Sequence, residues 1–153
     1  TRRSSDLSRL MEYPRIGTAV IVVNNLGQVL MGLRKKPGPG FGKWQFPGGH
    51  LEMYESFEEC GAREVFEEAE VKIDRMGIEI LAVTNNFWPE HKSHYVTIFL
   101  LAKYVSGTPV GVEPDKCDHW TWFDIDVLPD DLFESITVLT YENKIKIREF
   151  AER

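Results

Sequence analysis

The sequence predicts an α/β or α+β sandwich, in which the strands and helices of one domain pack around a shared core. Strand-type segments are followed by helix-type segments in mixed order, which favours a sandwich over a doubly wound sheet. The chain has 153 residues, of which 42% are hydrophobic, enough for one core but short for two domains. We therefore expect a polar lead-in over residues 1–16 and a single domain over residues 17–153.

The first elements predicted are two strands joined by a tight turn. Residues 18–23 and 28–33 are apolar and partly β-branched, and Asn24-Asn25-Leu26-Gly27 between them is a turn signal, so we expect a hairpin. Residues 36–43 contain two prolines and three glycines and should form a loop bounded by basic residues. A short extended piece should follow and end at Pro47 and the pair Gly48-Gly49.

A helix is predicted to begin after Ser56 and to run to about Ala69. Ser56 with Glu59 three residues later is a capping-box pattern at its start. At about 100° per residue, the helix has three sectors. These are an apolar side with Gly61, Ala62, Val65, Phe66 and Ala69, an acidic side with Cys60, Glu64, Glu67 and Glu68, and a solvent-facing sector with Glu59, Arg63 and Glu70.

Three further strands and a second helical region are predicted downstream. Residues 78–85 and 94–104 are strand candidates separated by a loop over residues 86–93, and the second is apolar enough to be central. A Gly/Pro-rich connection leads to a strand at residues 120–123, where Trp120 and Trp122 should face the same side and pack in the core. Residues 132–153 should be mostly helical.

Composition excludes several classes of protein. No stretch approaches the roughly 18 consecutive apolar residues of a membrane-spanning helix, and residues 1–16 lack the apolar run of a signal peptide. The formal net charge of −6 is not the basic excess of a general nucleic-acid binder. Cys60 and Cys117 have no zinc-finger spacing and should be free thiols. We expect a cytoplasmic protein that binds neither membranes nor nucleic-acid polymers.

The strongest chemical signal is an acidic segment preceded by a basic one. Residues 52–70 hold eight glutamates and one arginine, and like charges three or four residues apart on a helix repel each other. A divalent cation is the simplest compensation, although a solvated acidic helix face is the alternative. Arg34, Lys35, Lys36 and Lys43 come just before this segment. If the fold brings the two together, metal-binding acids and phosphate-binding bases share one site.

The acidic segment lies within a longer pattern of fixed spacing. The chain reads Gly49, five residues, Glu55, seven residues, and then Arg63-Glu64-Val65-Phe66-Glu67-Glu68-Ala69-Glu70-Val71. This pattern closely resembles the Nudix box, Gly-x5-Glu-x7-Arg-Glu-U-x-Glu-Glu-x-Gly-U, where U is aliphatic. The one departure is Glu70, which stands where the family has its second glycine. Glycine after a helix commonly adopts the left-handed conformation, so a glutamate there either costs strain or moves the helix end.

The resemblance extends over roughly residues 17–135, and it is to small eukaryotic MutT-type Nudix hydrolases of the 8-oxo-dGTP diphosphatase and thiopurine-nucleotide hydrolase kind. It is carried by Phe46-Pro47-Gly48-Gly49-His50-Leu51-Glu52, Glu58-Glu59-Cys60, Ser93-His94-Tyr95-Val96-Thr97 and Glu113-Pro114-Asp115-Lys116-Cys117. The resemblance implies an α/β/α sandwich with a mixed sheet, dependence on Mg²⁺ or Mn²⁺, and a homodimer. It also implies cleavage of nucleoside triphosphates to monophosphate and pyrophosphate.

Glu64 and Glu68, one helical turn apart, are the first candidates for metal ligands and catalytic residues. Glu67 is either a third ligand or the group that orients and deprotonates the attacking water. The resemblance adds the backbone carbonyl of Gly48 as a ligand. Glu113 or Asp115 could supply another carboxylate from a distant loop, with plain surface solvation as the alternative.

The resemblance also implies structural and substrate-binding residues. Arg63 and Glu55 should pair, with Gly49, to brace the loop against the helix. The positions that match substrate contacts are Arg34, Gln45, Gly48, Gly49, His50, Thr97 and Phe133. For His50, a ring satisfied by backbone groups is an open alternative. Glu134 stands where a relative has tryptophan, so the pocket wall should differ.

Three functional hypotheses follow. The leading one is a Mg²⁺-dependent nucleoside triphosphate pyrophosphohydrolase that acts on phosphoric anhydride bonds and clears oxidised or modified purine nucleotides. The second keeps the metal site but cleaves another diphosphate, such as an isoprenyl diphosphate or a nucleotide sugar. The third is a non-catalytic nucleotide sensor. All three predict metal binding, and turnover separates the last from the others.

Overall fold

The computed structural model describes residues 13–133 and 137–153, and this part of the chain forms eight strands and two α-helices. The strands are β1 Arg15–Val23, β2 Gln28–Arg34, β3 Trp44–Gln45, β4 Gly48–His50, β5 Lys72–Ile73, β6 Glu79–Trp88, β7 Ser93–Ser106 and β8 Cys117–Asp124. The helices are α1 Phe57–Ala69 and α2 Tyr141–Ala151, and a short 3-10 turn covers Pro89–His91. The expected lead-in lies mostly in residues 1–12, outside the described residues, and β1 begins inside its predicted bounds.

The sheet is mixed, as expected. β1 runs parallel to β7 over nine positions, from Arg15 opposite Tyr95 to Val23 opposite Lys103. β2 and β4 are antiparallel to β1, and β6 is antiparallel to β7. The predicted hairpin is therefore present as β1 and β2, and β7, at 14 residues, is the central strand that the apolar run of residues 94–104 indicated.

Alternating residues of the central strands feed two cores, one on each face of the sheet. Val20, Val22 and Leu100 pack with Val65 and Ala69 of α1. On the opposite face, the side chains that alternate with these pack against α2: Ile21, Val23, Phe99 and Leu101 with Ile147 and Phe150. Fully burying a side chain of this size contributes about 1.5–3 kcal/mol each. The layers are thus helix, sheet and helix, which confirms the predicted sandwich.

Helix α1 begins and ends as its sequence indicates. The Ser56 hydroxyl accepts the Glu59 N–H at 3.1 Å, while the Glu59 carboxylate accepts the Ser56 N–H at 3.3 Å, a complete capping box. At the other end, Glu70 adopts the left-handed conformation, with φ 55° and ψ 30°, and its N–H donates to the Phe66 carbonyl. The helix therefore keeps its end after Ala69, and the departure from glycine is accommodated as backbone strain.

Several predicted boundaries and faces are wrong. Gly48–His50 does not end the extended piece but forms β4, because Gly48 and Gly49 pair with Ala19 and Thr18 of β1. The loop predicted over residues 86–93 is strand up to Trp88, because β6 continues its ladder with β7. Phe66, assigned to the apolar side of α1, is 48% exposed. Arg63, assigned to solvent, is largely covered by the acidic groups that it contacts.

The prediction that residues 132–153 are mostly helical fails at its start. Among the described residues of this range, the α-helix covers Tyr141–Ala151, and the Thr140 hydroxyl caps it by accepting the Asn143 N–H. Leu132 instead bridges to Trp44 in parallel, and the Phe133 N–H donates to the Trp44 carbonyl at 2.8 Å. This pairing with β3 is a tertiary interaction that local helix propensity cannot indicate. Glu134, with residues 135 and 136, lies outside the described residues.

Two other expectations, for the tryptophans and for the cysteines, are met. Trp120 and Trp122 pack on the same core, the one covered by α1. Cys60 and Cys117 are buried free thiols. Among the helices of the described residues, none has the length and apolar character needed to cross a membrane.

Replacing Glu70 by glycine should stabilise the fold. The left-handed backbone at this position disfavours the native residue, and glycine adopts it without a Cβ penalty of about 1 kcal/mol. We expect Glu70→Gly to raise the melting temperature by about 2–4 °C.

Calorimetry of three variants checks this expectation. Glu70→Ala removes the same charge but keeps the Cβ, so it should not reproduce the gain. Glu58→Gly, inside the same helix, should lower stability by about 1 kcal/mol. Equal melting temperatures for Glu70→Gly and Glu70→Ala would assign the effect to charge and contradict the strain argument.

Candidate active site

One cleft of about 630 Å³ collects most of the residues singled out by sequence. Carboxylates of α1 form one wall, the β4 glycines form the floor, and residues from β2, β3, β6 and β7 form the opposite wall. The predicted residues that line it are Arg34, Gln45, Gly48, Gly49, His50, Glu64, Glu67, Glu68, Thr97, Glu113 and Phe133. We call this space the main cleft.

Glu68 lies closest to the floor of the main cleft. The Gly48 N–H donates to its Oε1 at 3.0 Å. The pKa of Glu68 is raised to about 8, chiefly by burial; the Gly48 hydrogen bond lowers it, and the nearby carboxylates of Glu64 and Glu113 raise it. Negative charge at this position is therefore poorly compensated by the protein alone.

The glycine pair at the floor is required by close packing. A Cβ on Gly48 would lie 1.9 Å from the Thr18 carbonyl oxygen, which belongs to the backbone and cannot move aside. A Cβ on Gly49 would lie 2.4 Å from the carboxylate carbon of Glu64. The absence of both side chains lets the floor approach β1 on one side and the α1 carboxylates on the other.

Arg63 joins helix α1 to the loop before it. Its Nε and Nη2 donate to the two carboxylate oxygens of Glu55 at 2.7 and 3.0 Å. Its Nη1 donates to Glu64 at 2.7 Å and to Glu67 at 3.2 Å, and Nη2 also donates to the His50 carbonyl at 3.1 Å. Hydrogen bonding to Arg63 lowers the pKa of Glu55 to about 2, so Glu55 stays ionised at any physiological pH.

Glu64 stands between this brace and the main cleft. Burial raises the pKa of its carboxyl group, while the hydrogen bond and positive charge of Arg63 lower it and the charges of Glu67 and Glu55 raise it again. Its carboxylate therefore faces a cation on one side and other acids on the rest.

The carboxylates of the main cleft fit a hard divalent cation by their chemistry. Glu64, Glu67, Glu68 and Glu113 offer oxygen donors of the kind that Mg²⁺ prefers, and burial has left the charge of Glu68 uncompensated. As the side chains stand, no group of three or more His, Cys, Asp or Glu within residues 13–133 and 137–153 is arranged around a common ion position. Arg63 accounts for this, because Glu64 and Glu67 both contact its Nη1.

The wall opposite the carboxylates is built from one cation and several rings. Arg34 donates from Nη1 to the Gln45 side-chain oxygen at 2.7 Å, and its guanidinium carbon lies 4.6 Å from the centre of the Phe133 ring. Phe133 stacks on Trp88 with ring centres 5.6 Å apart and an angle of 18° between planes. The buried Nε of Arg34 has no hydrogen-bond acceptor among the described residues.

His50 and Thr97 are held by side chains rather than by backbone. The His50 Nε2 and the Tyr95 hydroxyl are 2.7 Å apart, and the two rings stack at 5.4 Å. Burial lowers the pKa of His50, and the positive charges of Arg15 and Lys36 lower it further. The Thr97 hydroxyl donates to the Asn86 side-chain oxygen at 3.0 Å.

The structure separates the two candidates for an additional carboxylate. Glu113 lines the main cleft and pairs with Lys116 at 2.8 Å. Asp115 is exposed and does not line it. Lys36 lies on the cleft wall, whereas Lys35 does not.

Trp88, Tyr95 and Lys116 are among the cleft residues that sequence reasoning did not assign to the site. Trp88 was assigned to a loop, and only the continued alternation of β6 brings it to the cleft side together with Asn86. Carrying the strand prediction past Asn85 would have found it, because residues 85–88 contain no proline or glycine. Tyr95 follows from the same β6–β7 register, where it lies opposite Asn86.

Comparison with known proteins agrees with this geometry. The NUDIX domain model matches residues 13–140. An oxidized purine nucleoside triphosphate hydrolase of Danio rerio is 34% identical over 114 residues, which cover 73% of this chain and 67% of the relative. An NAD-capped RNA hydrolase NudC of Pseudomonas aeruginosa is 33% identical over 120 residues, 78% of this chain and 40% of the relative. This chain thus spans less than half of the length of that bacterial relative.

A solved structure supports the same assignment. The MutT NUDIX hydrolase of Burkholderia pseudomallei superposes with a TM-score of 0.71 at 31% identity, over 88% of this chain and 96% of the other. The match includes the mixed sheet with its two helices. The NUDIX domain model matches residues 13–140, which include the spaced glutamates of α1. The chain therefore belongs to the Nudix hydrolase family.

Proposed function

We propose that this protein is a Mg²⁺-dependent nucleoside triphosphate pyrophosphohydrolase that releases nucleoside monophosphate and pyrophosphate. The observation that carries the proposal is the division of the main cleft into two walls. Acidic side chains from α1 line one wall, and Arg34 with the Trp88–Phe133 ring pair lines the other. A triphosphate can lie along the acidic wall with its metal while its base lies against the rings.

The acidic wall supplies the metal site in this proposal. Nudix hydrolases generally use a divalent metal such as Mg²⁺. Glu64, Glu68 and the Gly48 carbonyl would hold it, with Glu67 and Glu113 within the same wall. Such an ion, when bound, neutralises phosphate charge and lowers the pKa of a coordinated water.

Glu67 is the best candidate to orient the attacking water. Its side chain is 54% exposed, more than those of its neighbours on the acidic wall, and Arg63 holds one of its oxygens at 3.2 Å. A carboxylate that is open to solvent can orient a water molecule and accept a proton from it. Glu64 and Glu68 are more enclosed, which suits ligation better than proton transfer.

The opposite wall supports a purine nucleotide as substrate. Arg34 and Lys36 can contact phosphate oxygens, Arg34 through its planar fork. Trp88, Phe133, His50 and Tyr95 present ring faces and edges for a base, and Gln45 and Thr97 present polar groups among them. The name of the Danio rerio relative, an oxidized purine nucleoside triphosphate hydrolase, supports oxidised or modified purines as the substrate class.

A substrate panel tests the proposal. The protein is incubated with Mg²⁺ and normal or oxidised nucleotides, nucleotide sugars and isoprenyl diphosphates, and products are identified by chromatography. We expect nucleoside monophosphate and pyrophosphate, with the highest kcat/KM for a modified purine triphosphate. Turnover confined to another diphosphate would replace the substrate class, and binding without turnover would identify a sensor. A homodimer and a cytoplasmic location stay predictions, and sedimentation equilibrium checks the first.

Glu68→Gln should lower kcat by about a thousandfold, because metal-assisted stabilisation of the transition state supplies several kcal/mol. The amide keeps the size of the side chain, so circular dichroism should show an unchanged fold. Glu58→Gln on the first turn of α1, away from the main cleft, is the matched control and should retain the wild-type rate. A near wild-type kcat for Glu68→Gln would exclude Glu68 as a ligand.

Stability should depend on pH in opposite ways with and without Mg²⁺. The pKa of Glu68 is about 8 in the folded protein against an ordinary value of 4.5, so the metal-free folded state binds more protons than the unfolded state between these two pH values. The free energy of unfolding contributed by this group is therefore lost as pH rises from about 5 to 8.

Mg²⁺ binds the carboxylate form, so the rise in melting temperature that it causes should grow from pH 6 to pH 8.5. Thermal unfolding at several pH values, with Mg²⁺ and with a chelator, measures both effects. Glu68→Gln, which cannot titrate at this position, should lose most of the pH dependence in both series. A Mg²⁺-induced shift that is equal at all pH values would contradict the assignment.

Arg63→Lys should destabilise the protein by about 1–3 kcal/mol, because lysine cannot reproduce the two parallel hydrogen bonds to Glu55. Urea unfolding measures the loss. Arg75→Lys is the control, because it makes the same substitution at an exposed position where the arginine forms no ion pair with the described residues. It should leave stability unchanged. Equal midpoints for the two variants would show that the brace contributes nothing to stability.

A further inference from the structure

Lys116 is a cation of the main cleft to which the proposed function gives no role. Among the described residues, Arg34, Lys36 and Lys116 are the arginine and the lysines that line this cleft. Arg34 is held at the ring wall, because its Nη1 donates to the Gln45 side chain and its guanidinium lies over the Phe133 ring. Lys116 is held beside the carboxylates instead, so the two cations suit different parts of one ligand.

The side chain of Lys116 lies near three acidic groups. Its Nζ donates to the Glu113 carboxylate at 2.8 Å. The hydrogen bond and the charge of Glu113 raise the pKa of Lys116, as do the charges of Asp115 and Glu68. The ammonium therefore stays protonated at neutral pH and lies within electrostatic range of Glu68, a candidate metal ligand on α1.

The segment that precedes Lys116 is attached to the acidic wall. The Val110 N–H donates to the Ala69 carbonyl at 3.1 Å. The Val112 N–H donates to the Glu68 carbonyl at 3.3 Å. Carbonyls in the last turn of a helix have no partner within the helix, and this segment supplies one for each. It thereby enters the main cleft from the end of α1.

A turn then returns the chain to the end of β2. The Lys116 and Cys117 N–H groups both donate to the Glu113 carbonyl, at 2.9 and 3.0 Å. The Lys116 carbonyl accepts the N–H groups of Lys35 and Lys36 at 2.8 and 3.2 Å. The backbone of Lys116 is thus fixed against both walls, whereas its side chain is 57% exposed and can change partner.

The ion pair between Lys116 and Glu113 can be exchanged for a phosphate at little cost. An exposed ion pair contributes about 0–1 kcal/mol to stability, so its loss leaves the fold almost unaffected. A terminal phosphate carries a charge of about −1.5 to −2 and three acceptor oxygens at neutral pH, more than the single charge of a carboxylate. An ammonium in this position therefore gains from a phosphate that comes within reach.

The order of groups along the cleft assigns Lys116 to one end of a triphosphate. In the proposed function the base lies against the ring wall, where Arg34 contacts Phe133. The phosphate bonded to the nucleoside is then the nearest to the rings, and the terminal phosphate is the farthest from them. Lys116, which contacts Glu113, stands at the carboxylate end of the cleft.

Resting on the proposed function, we propose that Lys116 binds the terminal phosphate of a nucleoside triphosphate and makes the protein selective for triphosphates over the corresponding diphosphates. When the substrate binds, the Lys116 ammonium exchanges the Glu113 carboxylate for the oxygens of this phosphate. A nucleoside diphosphate lacks that group and gains nothing from Lys116. Lys116 is thus a specificity-determining residue that distinguishes substrates by the length of their phosphate chain.

Lys116→Ala tests the proposal when hydrolysis of the triphosphate and of the diphosphate of one purine nucleoside is measured with Mg²⁺. We expect kcat/KM for the triphosphate to fall about tenfold, the effect of losing one charge-assisted hydrogen bond, and kcat/KM for the diphosphate to stay within about twofold of wild type. Lys116→Arg keeps the charge and should restore most of the triphosphate activity. The melting temperature of Lys116→Ala should match that of the wild type, because the ion pair is exposed.

Lys72→Ala is the matched control, since it removes an exposed lysine of β5 that does not line the main cleft. It should change kcat/KM for neither substrate. A loss of equal size on both substrates in Lys116→Ala would make Lys116 a residue of the general architecture. Wild-type kcat/KM on both substrates would show that the ammonium contacts no phosphate. Either result overturns the proposal.

Equilibrium binding separates failure of this inference from failure of the proposed function. A nucleotide that is not hydrolysed is studied by calorimetry with Mg²⁺, on the wild type and on Lys116→Ala. If neither nucleotide is hydrolysed, the proposed function fails, and a triphosphate Kd about tenfold higher in the variant with an unchanged diphosphate Kd still supports the role of Lys116. Equal triphosphate Kd values for the two proteins, or no binding of the triphosphate to the wild type, overturn it.

Discussion

The ion pairs of Arg63 are the interaction on which the rest of the site depends. One guanidinium holds the Glu55 carboxylate of the preceding loop, the Glu64 and Glu67 carboxylates of α1, and the His50 carbonyl at the end of β4. These contacts hold the acidic face of α1 beside the glycine floor, together with the hydrogen bond from Gly48 to Glu68 and the packing of Val65 and Ala69 on the sheet. The positive charge of Arg63 thereby offsets part of the repulsion among the carboxylates of the candidate metal site.

Contact with Arg63 separates the role of Glu55 from that of Glu68. Arg63 lowers the pKa of Glu55 to about 2, while burial raises the pKa of Glu68 to about 8. Both carboxylate oxygens of Glu55 accept hydrogen bonds from Arg63, so Glu55 supports the fold. Glu68 has no such cationic partner, so a bound cation would favour its ionised form. Environment, and not residue type, separates the structural glutamate from the candidate ligand.

Fixed spacing along one helix is what made the acidic wall predictable. Glu64 and Glu68 are one turn apart, and their common side follows from helix geometry alone. The ring wall is different, because its members meet only through pairings between distant strands. Trp88 reaches the main cleft through the β6–β7 register, and Phe133 through a bridge of its neighbour Leu132 to Trp44. Phe66 shows the limit even within a helix, since its exposure depends on what packs beside it.

This difference explains why sequence similarity identifies the chemistry more firmly than the substrate. The chain is about equally similar to a relative named for oxidised purine nucleoside triphosphates and to one named for NAD-capped RNA. Both fall within one family whose shared motif lies in the acidic wall and its brace. The residues that line the wall opposite the carboxylates lie outside that shared motif. In this chain that wall is organised by the stacked Trp88–Phe133 pair, with the Arg34 guanidinium over the Phe133 ring.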